Sequence, residues 1–380
     1  MRGHIREQSK HSYRIKVSLG KDLSTGKYQA YYETVQGSKP KADKRLRELL
    51  TEMDKGTFIK PGKSTIAEYL QTWLMDYCKP NLSPRTYDLY CYICNKHIIP
   101  TIGNYPLAEL KPMNLQHLYS EKQASGLSNR TVQLIHVTLH KSLKNAVKAG
   151  LLYRNVAEAV DAPKIQRREM RTMTETDLHV FLEMARDTEY YSLFYTLLFT
   201  GMRRNEALAL RWADVDLLLC QLSVTRSMQY LPSETPGNRI TFKQPKTVKS
   251  RRLIALSPST VAVLREHREA QNIIKKEIDL LPLTDNELVF SHSDGSPLLP
   301  DSVTHAWVKL AKRCGLKGIR LHDARHTHAS LLLKQGVHPK IVQERLGHAG
   351  IAITLDLYSH VAPGLQQAAA NKFDDMVFKR

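Results

Sequence analysis

His322-Asp-Ala-Arg325-His-Thr327, then Leu346-Gly-His348, then Asp356-Leu-Tyr358-Ser-His360 bring a histidine–arginine pair, a second histidine and a tyrosine into the C-terminal part of the chain. Upstream stand Thr200-Gly-Met-Arg203-Arg-Asn-Glu206 and Pro245-Lys246-Thr247. On a helix His322 and Arg325 share a face at i and i+3. Arg203 and Glu206 have the same relation, so the carboxylate can fix its neighbour. Lys246 lies between two strand-like stretches, 240–243 and 251–256, which predicts a hairpin loop carrying an ammonium.

These residue types suit cleavage of a phosphodiester without a metal. The attacked phosphorus passes through a five-coordinate state with extra charge on its non-bridging oxygens, and positioned donors stabilise such charge. Guanidinium forks bind two phosphate oxygens at once and stay protonated, a role open to Arg203 and Arg325. A phenol such as Tyr358 can attack once deprotonated. The departing sugar oxygen needs a proton, which an ammonium such as Lys246 can give. Each residue alone also has an ordinary reading. Arg203 beside Arg204 can be a surface cation, His322 a packed structural histidine and Tyr358 core filling. Lys246 is one of several lysines with Lys243 and Lys249. His326, His328 and His360 leave a metal role open, although no His-Glu-x-x-His spacing is present.

A chain of 380 residues has room for two or three domains, and 42% hydrophobic residues supply real cores. The net charge of +19 calls for an anionic partner. Nucleic acid is favoured over a membrane surface, because clustered Lys and Arg gain most from neutralising phosphates. There is no apolar run near the length of a membrane span, and the start Met1-Arg-Gly-His-Ile-Arg-Glu is too polar for a signal peptide. We expect a cytoplasmic protein with no membrane partner and no cofactor. The five scattered cysteines suit reduced thiols. Cys91-Tyr-Ile-Cys94 with His97 invites a metal reading, but no second cysteine pair stands at ligand spacing, and half-buried thiols inside a helix are the simpler reading.

Residues 1–60 read as a small unit of two strands and a helix. Tyr13–Leu19 and Lys27–Val35 are the strands, and Leu46, Leu49, Leu50 and Met53 give the helix one apolar face, with Gly56 as its stop. Residues 1–63 hold 15 Lys/Arg against 7 Asp/Glu, and Arg14, Lys16 and Lys27 can meet DNA from an open sheet face. Ile59–Lys63 reads as a linker. Residues 64–160 read as nearly all helix, with Ser83-Pro84 and Ser128 as helix starts and Gly150 as a stop. There Lys141, Lys144 and Lys148 form a basic stripe, either solvated or DNA-facing. A second linker is expected at 161–171. Thr174-Glu-Thr-Asp177 then opens a mixed region with short strands near 217–225, 240–243 and 251–256 and helices near 258–276, 302–314 and 322–335. The fold class is thus multidomain α+β: a β-sheet-plus-helix N-domain, an all-α domain, and a mixed, mainly-α domain over 172–380 with a small antiparallel sheet.

The order and spacing of these strings, with Tyr358 ten residues beyond His348, resemble the tyrosine recombinase (phage integrase) family. The resemblance implies a metal-independent, site-specific DNA recombinase that passes through a 3′-phosphotyrosyl bond. It implies Tyr358 as nucleophile, Arg203 and Arg325 as phosphate clamps, Lys246 as general acid, and His322 and His348 as assistants in proton handling. Ala324 departs from the bulkier apolar residue many members carry, a matter of local packing. By the same resemblance residues 64–160 are a core-binding domain, and 1–60 are similar to the arm-binding domains of phage and conjugative-transposon integrases. The implied partners are double-stranded DNA at core and arm sites, three further copies in a homotetramer on DNA, an excisionase and a DNA-bending host protein. The tail from Gly364 is expected to form a short helix. Two rival readings are a non-catalytic DNA-binding regulator, which has no need of Tyr358, and a type IB topoisomerase, which has no need of an arm-like N-domain.

Overall fold

A computed structural model describes residues 3–21, 26, 28–54, 64–165, 171–230, 240–243, 251–348, 350–352, 354–355 and 365–378. The chain divides into two compact units, Met1–Arg167 and Arg168–Arg380. Its α+β character is as the sequence predicts.

The first unit opens with an antiparallel sheet of β1 (Gly3–Ser9), β2 (Ser12–Lys21) and β3 (Tyr28–Gln36), in that order. Alternation along β2 turns Ile15 and Val17 inward, onto Ala42, Leu49 and Met53 of helix α1 (Lys39–Asp54). The sequence predicts two strands here, and the structure has three. Ile5 is the one large apolar residue of β1, so this edge strand shows no alternation to read. The outer face carries charge. Arg6 stands opposite Arg14 and His4 opposite Lys16, and the Arg14 guanidinium lies 4.6 Å from the centre of the Tyr32 ring. The expected stop at Gly56 and linker at 59–63 lie outside the described residues.

Four main helices follow. Helix α2 (Ile66–Thr72) starts at a capping box in which Thr65 and Glu68 each bond the other's backbone N–H. It continues into a π-helical turn, Trp73–Cys78. Helix α3 (Pro84–Ile93) runs into a second π-helical stretch, Cys94–Ile98, and α4 (Pro112–Ala124) and α5 (Asn129–Lys148) complete the set. Ser128 caps α5 as its sequence position predicts. The shared core includes Trp73, Leu118, Tyr119, Ile135 and Leu139. Of the basic stripe, Lys144 and Lys148 are exposed, whereas Lys141 lies 5.2 Å from the centre of the Tyr90 ring. Cys78 and Cys94 are buried free thiols, and burial pushes them up to about 11 and about 12. They stay protonated, the form that packs and does not ligate.

The second unit starts with α6 (Glu175–Ala185), opened by the Thr174–Asp177 capping box, and α7 (Tyr191–Thr200). After the single turn α8 (Arg204–Ala207) come five short strands: β4 (Val215–Asp216), β5 (Gln221–Val224), β6 (Ser227–Tyr230), β7 (Ile240–Lys243) and β8 (Arg252–Ala255). They are followed by α9 (Pro258–Glu277), α10 (Pro300–Arg313), α11 (Asp323–Lys334), α12 (Pro339–Leu346) and α13 (Leu365–Phe378). Trp307 packs its ring 4.4 Å from that of Phe181 and 5.1 Å from that of Phe194, tying α10 to α6 and α7. Trp212, Leu222, Ile254 and Ala324 join the same core. The expected β7–β8 hairpin is not formed. The sheets run β4-β5-β8 and β6-β7, so β7 and β8 belong to different sheets, and Lys246 lies outside the described residues. Burial explains the choice: Ile254 of β8 pairs with Leu222 of β5 in the core, while β7 is largely exposed. No helix among the described residues is long and apolar enough to cross a membrane.

Candidate active site

Two helices of the second unit end in a left-handed glycine. Gly201 caps α7 at φ 65° and Gly347 caps α12 at φ 67°. At these ends the last carbonyls lack helical partners and carry the negative pole of the helix dipole. They hold the two candidate guanidiniums. Arg325, from the first turn of α11, donates from Nη1 to the Gly201 carbonyl and from Nη2 to the Leu346 carbonyl, both at 2.7 Å. Arg203, the residue before α8, donates from Nη2 to the Gly347 carbonyl at 3.2 Å. His348 follows directly, so the three residues meet around the end of α12.

Neither glycine can carry a side chain here without strain. A Cβ on Gly201 would press against Leu346 and come within 2.8 Å of the His328 ring, and one on Gly347 would lie 3.1 Å from Arg252 Cδ. The His328 tautomer is fixed by its partners. Arg345 Nε donates to Nε2 at 3.0 Å, so Nδ1–H donates to the Leu198 carbonyl at 2.9 Å. Burial, then the Arg345 charge, pushes this imidazole down to about 4. It is a neutral spacer between α11, α7 and α12.

The charge balance of the pocket is positive. Arg203 and Arg252 bond one buried carboxylate, Glu206, whose charge also reaches Arg325. Arg203 Nη1 reaches Glu206 Oε1 at 2.7 Å, and Arg252 Nη2 reaches Oε2 at 2.8 Å. Burial works to raise the Glu206 carboxyl, but the bond and charge of Arg252, then the charge of Arg203, outweigh it and hold the group below the usual carboxylate range. Arg325 is pushed down to about 9, first by burial and then by Arg203, yet keeps its proton at neutral pH. Its two carbonyl partners are neutral, and an anion would relieve the repulsion. The remainder of its five N–H donors are available to one.

The imidazoles surround the guanidiniums. His348 is buried, with Nδ1 2.9 Å from the Thr354 hydroxyl, and burial followed by the charges of Arg325 and Arg203 pushes it down to about 4. His322 precedes α11 and is exposed at the rim, and it is lowered by crowding and then by Arg325. Its ring stands edge to face with that of His326, centroids 4.9 Å apart. His326 is pushed down to about 4, by burial and then by its neighbour His322. All four therefore enter any reaction as neutral groups near pH 7.

The structure brings together Arg203, Arg325 and His348, with His322 beside them. Lys246, Tyr358 and His360 lie outside the described residues. Among the described residues no three His, Cys, Asp or Glu side chains are arranged to hold a metal ion. Two arginines of the network escape sequence reasoning. Arg252 sits on the same strand face as buried Ile254 and is itself 6% exposed. An arginine two residues from a core residue in a four-residue strand is the signal that was there to read. Arg345 clasps the other end, donating to the carbonyls of Ala255 and Phe199.

The model of the phage integrase family matches residues 164–364, and that of the phage integrase N-terminal SAM-like domain matches 65–123. The ICEBs1 integrase of Bacillus subtilis (strain 168) is 28% identical over 96% of this chain and 97% of its own length. A XerC-like tyrosine recombinase of Caldanaerobacter subterraneus subsp. tengcongensis is 27% identical over 97% of each. Among solved structures, the Tn1549 transposon integrase in complex with transposon right end DNA superposes with a TM-score of 0.68 at 18% identity, over 81% of this chain and 99% of that one. A lambda integrase tetramer bound to a Holliday junction gives 0.59 at 17%, over 91% and 95%. At these identities the two structures speak for the fold.

Proposed function

The chain belongs to the phage integrase family and is a tyrosine-type site-specific recombinase that integrates or excises a mobile element, and on that premise we propose how its own residues do so. Arg203 and Arg325 clamp the scissile phosphate, and His348 and His322 flank it as neutral hydrogen-bonding and proton-handling groups. Tyr358 attacks the phosphorus and Lys246 protonates the leaving oxygen. The observation that carries this reading is the pocket in which Arg203 and Arg252 bond the buried carboxylate of Glu206 while Arg325, beside them, is held only by neutral carbonyls. One phosphodiester supplies the missing negative charge.

In the reaction the Tyr358 hydroxyl gives its proton to one of the neutral imidazoles, His322 or His348, and its oxygen forms a bond to phosphorus as the bond to the 5′ oxygen breaks. The departing 5′ oxygen takes a proton from Lys246, which leaves a 3′-phosphotyrosyl ester and a free 5′-hydroxyl. Both guanidiniums count most when the equatorial oxygens carry greatest charge. Attack by the 5′-hydroxyl of a partner duplex reverses the step and releases the tyrosine. The ester conserves the phosphodiester energy, so the cycle closes without a nucleotide cofactor. The family resemblance further supports four copies on two duplexes with two rounds of exchange through a four-way junction, and an excisionase and a host DNA-bending protein as partners that set its direction.

The proposed division of labour follows the three cores: residues 1–60 on arm sites, 64–160 clamping core DNA, and 172–380 doing the chemistry. Like charges facing each other across β1 and β2, Arg6 with Arg14, support a phosphate-facing sheet, since such a pair destabilises a strand that has only water to face. The test of the chemistry is a nicked core site whose cleaved end diffuses away. The protein is expected to become covalently attached to the 3′ end, and Tyr358→Phe to lose the adduct while keeping its DNA affinity. An adduct that survives in the Phe variant reassigns the nucleophile.

A further inference from the structure

Arg252 lies outside the six residues given roles above, yet the pocket is tied together through its side chain. It opens β8 and is buried almost entirely. Its guanidinium makes bonds on two sides. Nη2 and Nη1 donate to Glu206 at 2.8 and 3.3 Å, and Nε donates to the Arg345 carbonyl in the last turn of α12 at 2.7 Å. The clasp is reciprocal, because Arg345 Nη1 donates back to the carbonyl of Ala255 at the far end of β8, at 2.9 Å. Strand and helix are thus pinned at two points. The space where a Gly347 side chain would stand is filled by Arg252 Cδ, Nε and Nη1 at 3.1 to 3.3 Å.

Two lines of support for the phosphate site run through this one fork. Through Glu206, Arg252 sets the carboxylate that bonds both the Arg203 side chain and its backbone N–H. Through the end of α12 it fixes the Leu346 and Gly347 carbonyls that Arg325 and Arg203 use, and the start of His348. One rigid fork therefore stands at the junction of the first arginine, the second arginine and the buried histidine.

We infer that Arg252 is a positioning residue of the recombination site, holding Glu206 in place to orient Arg203 and locking α12 to β8 so that the carbonyl cradle of Arg325 keeps its shape. The inference rests on the phosphate-clamp reading of this pocket. A lysine there can meet Glu206 or the Arg345 carbonyl but has no planar fork to meet both. A methionine fills the volume and meets neither. Glu206 is faced by Arg203 from its own turn, by Arg252 from β8 and by Arg325 from α11. With Arg252 gone, burial acts on the carboxyl against one fewer cation, so its pKa rises and part of the population loses the charge that holds Arg203.

The experiment uses the full chain and the nicked core site, with adduct formation followed from pH 6 to pH 9. The parent's own adduct, abolished by Tyr358→Phe, tests the phosphate-clamp reading separately. With that adduct established, Arg252→Met should form it about 100-fold more slowly at neutral pH, the scale expected when a supporting contact misplaces a reacting group. The rate should climb with pH as Glu206 ionises, and DNA affinity should change little. Arg252→Lys should fall between, and Arg252→Met/Glu206→Gln should lose the pH rescue. A Met variant within threefold of the parent overturns the inference. If Arg252→Met does not fold, the Lys variant decides. An intermediate rate with a normal unfolding profile supports the role, and the parent rate overturns it.

Discussion

Gly201→Ala is the most discriminating perturbation of the pocket, because the structure supplies its control. Gly201 and Gly336 both sit at positive φ, 65° and 81°, just beyond the ends of helices, and Gly336 follows α11, the helix that carries Arg325. An added Cβ at Gly336 meets nothing within 4 Å, whereas at Gly201 it meets Leu346 and the His328 ring. The left-handed conformation costs an alanine about 1–2 kcal/mol at either site. The gain from a stiffer unfolded chain is also common to both. The collision is the difference. The His328 ring is held between the Leu198 carbonyl and Arg345 and has nowhere to go, so relief must come from the backbone, at the usual overpacking cost of about 1–3 kcal/mol. Urea unfolding should therefore show Gly336→Ala destabilised by about 1–2 kcal/mol and Gly201→Ala by about 2–5 kcal/mol. The backbone that moves carries the carbonyl holding Arg325, so adduct formation should drop about 10- to 100-fold in Gly201→Ala. In Gly336→Ala it should stay within about twofold, since that change leaves the Arg325 cradle untouched. Equal stability losses, or a parent-like adduct rate in Gly201→Ala, would refute the carbonyl cradle as the support of Arg325.

Three further outcomes are expected. Lys246→Ala should cleave poorly on normal DNA and recover on a 5′-bridging phosphorothiolate, whose sulfur leaves without a proton; failure to recover places the general acid elsewhere. His328 and His348 are both held down to about 4 in the fold, against about 6.5 in the unfolded chain, so the unfolded chain binds protons first. Their contribution is whole above pH 6.5 and is lost as pH falls toward 4, at up to about 1.4 kcal/mol per pH unit each, and His328→Gln should remove one such increment from the pH slope of unfolding, leaving that of His348 and the other lowered histidines. Arg14→Ala/Lys16→Ala should flatten the salt dependence of binding to arm-site DNA by about two in the logarithmic slope if each cation meets one phosphate. An unchanged slope removes the sheet face from the interface.

The helices were legible because their start signals are local. Thr174-Glu-Thr-Asp177 and Ser128 carry their own capping chemistry, and each helix begins where that chemistry says. β1 was not legible, since an edge strand that buries one isoleucine leaves no period in the sequence. The misjudged strand partners of β7 and β8 have a different cause. Proximity in sequence favours pairing neighbours, but Ile254 needs Leu222 across from it to stay dry, and that requirement draws β8 into the other sheet. The site divides in the same way. Arg203, Arg325 and the histidines are side chains whose chemistry can be read from their names. What holds them is mostly backbone, the carbonyls of Gly201, Leu346 and Gly347, and every residue has a carbonyl. The glycines that follow α7 and α12 mark where such carbonyls are left over. Arg252 was hidden for a third reason. Its strand position beside Ile254 hints at burial, but the carboxylate that would justify a buried cation, Glu206, already had a nearer claimant in Arg203. A carboxylate with two lone-pair-bearing oxygens can serve two guanidiniums at once. Among the described residues Arg203, Arg252 and Arg325 outnumber the one acid that Arg203 and Arg252 bond, which favours an anion in the pocket, and no inspection of either strand or helix alone could have supplied that balance.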